Sequence, residues 1–189
     1  MGAGVIPFSL FEDEIYFLFQ STFTGRKVGH YIDFGGGLNE SEDYRDTAAR
    51  EFVEETETLY FSEDIHLAHR TDEAIANQIS LVNSLFDKTL SLYPNWFCRR
   101  ATTNPSKPKD WITFFIEFPF RDVDKLNNEW ERDKTGRFKK RRELTWLSSD
   151  ELLHIYENRP EKLWKRVRQL EGFAGTIQNI KTEKLSVNL

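Results

Sequence analysis

A single cysteine, Cys98, is the only thiol in the 189-residue chain, which excludes an internal disulfide framework and a zinc site built on several thiolates. Long apolar runs are also absent: nothing approaches the roughly eighteen consecutive residues that a membrane-spanning helix needs. No basic stretch followed by an apolar run opens the chain, so no secretory signal is expected. Ile6 stands where a myristoylation signal carries Ser or Thr. Nor is there an excess of positive charge. Lys and Arg number 26 against 31 Asp and Glu, a net charge of −5 with neutral histidines. That balance disfavours a protein that coats DNA with an overall basic surface. Together these absences lead to the expectation of a soluble cytoplasmic protein with no membrane partner.

What is present is a chain long enough for one domain and rich in aromatic residues, 14% of the whole, with 16 Phe. Such a composition builds a core from Phe, and flat side chains near a site can also stack on bases. Residues 3–9 and 14–20 read as two strands joined by a turn in the acidic stretch Glu12-Asp13-Glu14. Both faces of the second strand are apolar, which suits a strand covered on both sides, as in a layered α/β domain. A further short strand is expected through His30–Phe34, and a helix from Asp43 to Thr56 with Ser41 as its N-cap. A second helix spans Asp72 to Leu92 and is ended by Pro94. Trp111 to Phe120 reads as the strongest strand, with Pro119 marking an edge or a termination. Residues 124–142 are polar and charged, which predicts a long loop or an irregular hairpin. Leu144–Leu147 resumes a strand, Ser149 caps a following helix, and Pro160 opens a last helix to about Leu170. The expected organisation is one domain over 1–173, an insertion over about 63–109, and a flexible tail over 174–189.

The chemistry concentrates between Gly36 and Glu55. Gly36 is followed by five residues and then Glu42; seven more lead to Arg50-Glu51-Phe52-Val53-Glu54-Glu55. On a helix, Glu51 lies three residues from Glu54 and four from Glu55, so the carboxylates crowd one side. Like charges at that spacing destabilise an isolated helix by a few tenths of a kcal/mol per pair, roughly, and a cation would offset them. Oxygen-only ligands suit a hard divalent ion such as Mg²⁺ or Mn²⁺. The glycine run lets backbone approach a metal or a phosphate closely, and the carbonyl of Gly36 is the candidate backbone ligand. Arg50 is placed to orient Glu54 or Glu42 by charge-assisted bonds.

This segment resembles the Nudix box of the Nudix hydrolases, with Gly36, Glu42, Arg50, Glu51, Phe52, Glu54 and Glu55 in register. It departs from that pattern at Glu57, where the family carries a second Gly, and at Thr58, where it carries an apolar residue. Those two positions shape the exit of the helix rather than bind metal. The resemblance implies an α/β/α sandwich with a mixed sheet, carrying a helical insertion after the box helix. It implies metal-dependent hydrolysis of a phosphoanhydride in a nucleoside diphosphate linked to another group. Glu51, Glu54 and Glu55 with the Gly36 carbonyl would bind the Mg²⁺ or Mn²⁺ ions, and Arg50 would orient the carboxylates. The general base would be Glu54 or a carboxylate from a later segment. Among the later ones Glu143 leads, being next to the strand through Trp146. Glu117, Glu129 and Glu131 are expected in plain surface or cross-strand roles.

Outside the box, the basic run 132–142 fits a polyphosphate, an RNA backbone or an acidic partner, or is simply solvated. Arg99 and Arg100 form a smaller pair beside Trp96 and Phe97. His66 and His69 read as surface residues. The insertion is expected to cover the site or to form a homodimer contact. The partner of first choice is a nucleotide-derived small molecule. The alternatives are a Nudix-like sensing module without hydrolysis and an RNA end-processing enzyme, the latter disfavoured by the net negative charge.

Overall fold

The computed structural model describes residues 1–63, 71–132, 138 and 141–186, with the side chain of Arg132 outside that set. Its frame is a hairpin. Strands β1 (Gly2–Phe11) and β2 (Glu14–Thr22) pair antiparallel across a two-residue turn. Both turn residues, Glu12 and Asp13, have positive φ, 48° and 61°, the backbone that a two-residue hairpin requires to match strand twist. The turn expected in the acidic stretch is therefore made by its first two residues.

Strand β5 (Trp111–Glu117) lies parallel to β1 from Gly2 to Phe8, and β4 (Phe97–Arg99) flanks β5. On the other side of the hairpin, β6 (Arg142–Ser148) pairs antiparallel with β2. The sheet order is β4-β5-β1-β2-β6, and β3 (Phe34–Gly37) pairs with β1 off that path. Because β5 occupies one side of β1, both β2 and β3 must share the other. β2 takes Phe8–Phe11 and β3 takes Gly2–Val5. Pro7, which has no N–H to donate, falls where one partner hands over to the other. Segment 31–37 fills the wedge: Ile32 bridges to Gln20 of β2, and β3 then pairs with β1. The triple glycine is thus inside a paired strand, one step beyond the strand expected at His30–Phe34.

Alternation along the strands supplies two apolar faces. Ala3, Val5, Leu18, Phe34, Ile112, Phe114 and Leu144 pack under α1 (Tyr44–Glu55), α2 (Asp72–Leu92) and α3 (Val123–Arg132). Ile6, Phe8, Phe17, Phe19, Phe115 and Leu147 pack under α4 (Ser149–Asn158) and α6 (Phe173–Ser186). A turn of 3₁₀ helix at Pro160–Lys162 and the short α5 (Lys165–Arg168) lead from α4 to α6. The result is helices on both faces of a mixed sheet, as expected. No helix among the described residues is long and apolar enough to cross a membrane.

Several elements differ from expectation. The N-cap of α1 is Asp43, which accepts from the Asp46 N–H in a reciprocal capping box, while Ser41 sits at φ 72°. Likewise Ser148, not Ser149, caps α4. The polar stretch after 123 begins as helix α3, because Val123, Leu126 and Trp130 line one side and are buried despite their charged neighbours. Pro160 opens only the short 3₁₀ turn and α5. The tail over 174–189, expected to be flexible, continues as helix α6 to Ser186, with Phe173, Ile177 and Ile180 fully buried. Most of the basic run 132–142, and His66 and His69, lie outside the described residues.

Candidate active site

The box helix α1 packs against β1 and β3 through Ala48, Ala49, Phe52 and Val53, all fully buried. That packing turns the remaining face, carrying Arg50, Glu51, Glu54 and Glu55, toward the glycine strand. Arg50 gathers the acids. Its Nε donates to Glu42 Oε1 at 2.7 Å, Nη1 to Glu51 Oε1 at 2.8 Å and to Glu54 Oε2 at 3.3 Å, and Nη2 to the Gly37 carbonyl at 3.1 Å. The hydrogen bond from Arg50 holds the Glu42 carboxyl down to about 2. Glu42 also accepts from the Asn39 N–H and the Thr47 hydroxyl, tying the loop before α1 to the helix.

Gly36 is where the Glu51 carboxylate comes closest to the strand backbone. A Cβ built there would fall 2.3 Å from Glu51 Oε1 and 2.5 Å from its carboxyl carbon. Gly35 meets the other side: a Cβ would lie 2.4 Å from the Ala3 carbonyl. Glu55, at 6% exposure, points inward. Its Oε2 accepts from the Gly35 N–H at 2.9 Å and from Gln20 Nε2 at 2.7 Å. Burial first, and the Glu51 charge second, push the Glu55 carboxyl up to about 7.

The donor set fits a hard divalent ion by its chemistry. It is all oxygen, glycine leaves backbone accessible to it, and Glu51 raises the cost of ionising Glu55, a strain that a cation relieves. Among the described residues no three acids converge closely enough to hold an ion as they stand; Arg50 supplies the counter-charge instead.

The helix exit carries the departure from the box pattern. Glu57 and Thr58 both have positive φ, 52° and 63°. A left-handed residue is why glycine suits this position, and Glu57 adopts the same backbone without it. Its buried carboxylate accepts from the Phe138 N–H at 3.0 Å.

The later carboxylates are dispersed. Glu143 pairs opposite Ser21 on β6, in the alternate position to Leu144 and Gln20, and is exposed. The strand's alternation therefore sets it off from the side on which Gln20 reaches Glu55. Glu117 accepts from Lys184 at 2.7 Å, Glu131 from Arg141 at 3.2 Å, and Glu129 lies 3.9 Å from Lys125.

Two residues outside the box complete the surroundings. Gln20 Nε2 donates both to Glu55 and to the Asp33 carbonyl at 3.0 Å, while Gln20 Oε1 accepts from Arg142 Nε at 3.1 Å. Asp33, fully buried, meets Arg166 at 2.6 Å and accepts from the Thr113 hydroxyl at 2.9 Å. Each had a signal in the sequence: a lone polar residue ending the apolar run of β2, and a lone acid within Tyr31-Ile32-Asp33-Phe34.

No family model matches the chain. Over 62 residues it is 47% identical to an uncharacterized protein of Acanthamoeba polyphaga mimivirus, a match covering 31% of this chain and 20% of that protein. The chain thus spans about a fifth of that relative's length. Among solved structures, a C. elegans Ap4A hydrolase in a binary complex aligns over 100% of this chain and 98% of its own, at 11% identity and TM-score 0.49. A MutT/Nudix family protein from Listeria innocua aligns over 98% and 96%, at 14% identity and TM-score 0.46. A Nudix hydrolase from M. smegmatis aligns over 100% and 88%, at 13% identity and TM-score 0.41.

Proposed function

We propose that the chain is a Nudix-type pyrophosphohydrolase that uses Mg²⁺ or Mn²⁺ to cleave a phosphoanhydride in a nucleotide derivative. One observation carries this reading: the arginine of the box gathers Glu42, Glu51 and Glu54 beside a glycine strand whose next N–H is bound by Glu55. A solvated acidic helix face would have no need of that arrangement.

Glu51, Glu54 and Glu55 with the Gly36 carbonyl are the residues that would hold the ion. The chemistry such an ion supplies is polarisation of the bridging phosphate and a lowered pKa for an attacking water. Arg50 fixes the carboxylates by its bonds to them and holds the loop through Glu42. Gln20 and the Gly35 N–H fix Glu55. The proton acceptor is assigned to Glu54, which sits in the box cluster, in preference to Glu143, which stands on the alternate side of β6.

The test is cleavage of a panel (dinucleoside polyphosphates, ADP-ribose, NADH, nucleotide sugars, nucleoside triphosphates and capped RNA) with Mg²⁺ or Mn²⁺ and a coupled phosphatase. Glu54→Gln is expected to lower turnover by about 10² to 10⁴ with the fold intact. Wild-type rates in that variant would remove Glu54 from the mechanism. No cleavage of any substrate, with nucleotide binding retained, would make the chain a sensing module.

A further inference from the structure

On the C-terminal-helix side of the sheet, next to the glycine strand, lies a cavity of about 620 Å³ lined by six cations and one acid. Arg26 and Lys27 come from the loop after β2, Arg100 from the end of β4, Lys109 from the approach to β5, and Lys165 and Arg166 from α5. Asp110 is the acidic member of the described lining, and it is engaged by the Tyr44 hydroxyl and lies 3.8 Å from Arg99. Arg166 is paired with the buried Asp33. Of the other five cations, none has a carboxylate within 4.0 Å among the described residues.

These cations are held together against their mutual repulsion. Arg166 Cζ lies 3.9 Å from the centre of the Trp111 ring, and Lys27 Nζ lies 5.6 Å from that of Trp164. Arg100 Nε is fixed by Gln169 Oε1 at 2.8 Å. Burial lowers both Lys27 and Arg100, and the neighbouring Arg166 charge lowers each further. Positive charge concentrated in a concave site, on a chain that is net negative, focuses an anion there.

The cavity is wired to the box. Arg166 Nη2 donates to the Asp33 carbonyl at 3.4 Å, the same carbonyl accepts from Gln20 Nε2, and Gln20 holds Glu55. Gly2, in the lining, pairs with Gly37 in β3.

We propose that this cavity binds a short polyphosphate chain, the charged part of a nucleotide-derived substrate whose scissile bond lies at the box. Only the link to the box rests on the hydrolase reading; anion binding itself stands on the cations.

The test is calorimetric titration of inorganic tripolyphosphate in EDTA, so that binding reports the side chains without a divalent ion. Three proteins are compared: wild type, Arg26→Glu/Lys109→Glu/Lys165→Glu, and Lys88→Glu/Lys125→Glu/Arg168→Glu. All six residues are exposed, and the two variants change net charge equally. The cavity variant is expected to weaken binding at least 30-fold and to flatten its salt dependence, and the control variant less than threefold. No binding to wild type, or equal weakening in both variants, would overturn the proposal. Glu54→Gln is titrated in parallel. Hydrolysis by wild type without tripolyphosphate binding would sink the cavity alone. Cavity-dependent binding in a protein that cleaves nothing would sink the hydrolase alone.

Discussion

Replacing Glu55 by Gln in chelated protein should raise its stability at pH 8 and leave it nearly unchanged at pH 5. The Glu55 carboxyl moves from an ordinary 4.5 to about 7 in the folded protein, by burial first and the Glu51 charge second. A folded-state pKa above the unfolded one means the folded protein holds the proton more tightly. The stabilisation is therefore complete below pH 4.5 and is lost as pH rises through 7. At roughly 1.4 kcal/mol per pKa unit, the loss between pH 5 and 8 is about 2 to 3 kcal/mol. Gln is isosteric with the protonated acid, and its amide oxygen can accept from the Gly35 N–H and Gln20 as Glu55 does. Glu42 titrates the other way, but its carboxyl is held at about 2, so its contribution falls away only at acid pH and is common to both proteins. Urea unfolding of both proteins in EDTA at the two pH values measures the difference directly. A gap between wild type and variant that is the same at pH 5 and pH 8 would refute the buried, charge-coupled environment assigned to Glu55.

Three further substitutions probe other parts of the frame. Gly36→Ala puts a Cβ 2.3 Å from Glu51 Oε1; the flexible carboxylate can swing away, so we expect a cost below about 1 kcal/mol but a turnover loss of roughly 10²-fold from its displacement. Steady-state kinetics beside a melting curve separates the two, and an unchanged rate would count against Glu51. Asp33→Asn leaves Arg166 without its buried counter-charge and should cost about 3 kcal/mol in urea unfolding; a cost under about 1 kcal/mol would show that the pair contributes little. Thr58→Gly relieves a β-branched residue at φ 63°, whose buried hydroxyl has no hydrogen-bond partner among the described residues. Relief of about 1 to 2 kcal/mol of left-handed strain exceeds the roughly 0.5–1 kcal/mol entropy cost of Gly, so the melting temperature should rise; a fall would deny the strain.

Elements with a single strong local signal were legible from the residues. The hairpin strands, the box helix, the Asp72–Leu92 helix and the Trp111 strand all stand close to where periodicity and turn chemistry put them. The two missed helices, α3 and α6, hide apolar residues among charged residues or glycines. In α3, Leu126 and Trp130 are separated by Asn, Asn and Glu, and only their burial against Leu144 reveals a helix. In α6, Gly172 and Gly175 suggest an ending, yet Phe173, Ile177 and Ile180 form one stripe that the sheet covers. Within the site, the box residues are contiguous and readable. The bonds from Gln20 to Glu55 and from Arg166 to Asp33 join residues remote in sequence, so no local pattern announces them. The six cations of the cavity come from four separate segments and are hidden for the same reason.

The wedge at β1 has a consequence for how the molecule is assembled. Gly2 pairs with Trp111, and Gln20 with Leu144, so the central strands find their neighbours only after most of the chain is available. Pairing of this kind is slow, because long loops must close before any contact rewards them. Box helix α1 can form early from its own capping and periodicity. Glu55, however, acquires Gln20 and its tie to Arg166 only when segment 31–37 is seated and α5 has closed over it. A chain that has built its helices but not its wedge would keep the bonds from Arg50 to Glu42, Glu51 and Glu54, yet leave Glu55 without Gln20 or the Gly35 N–H.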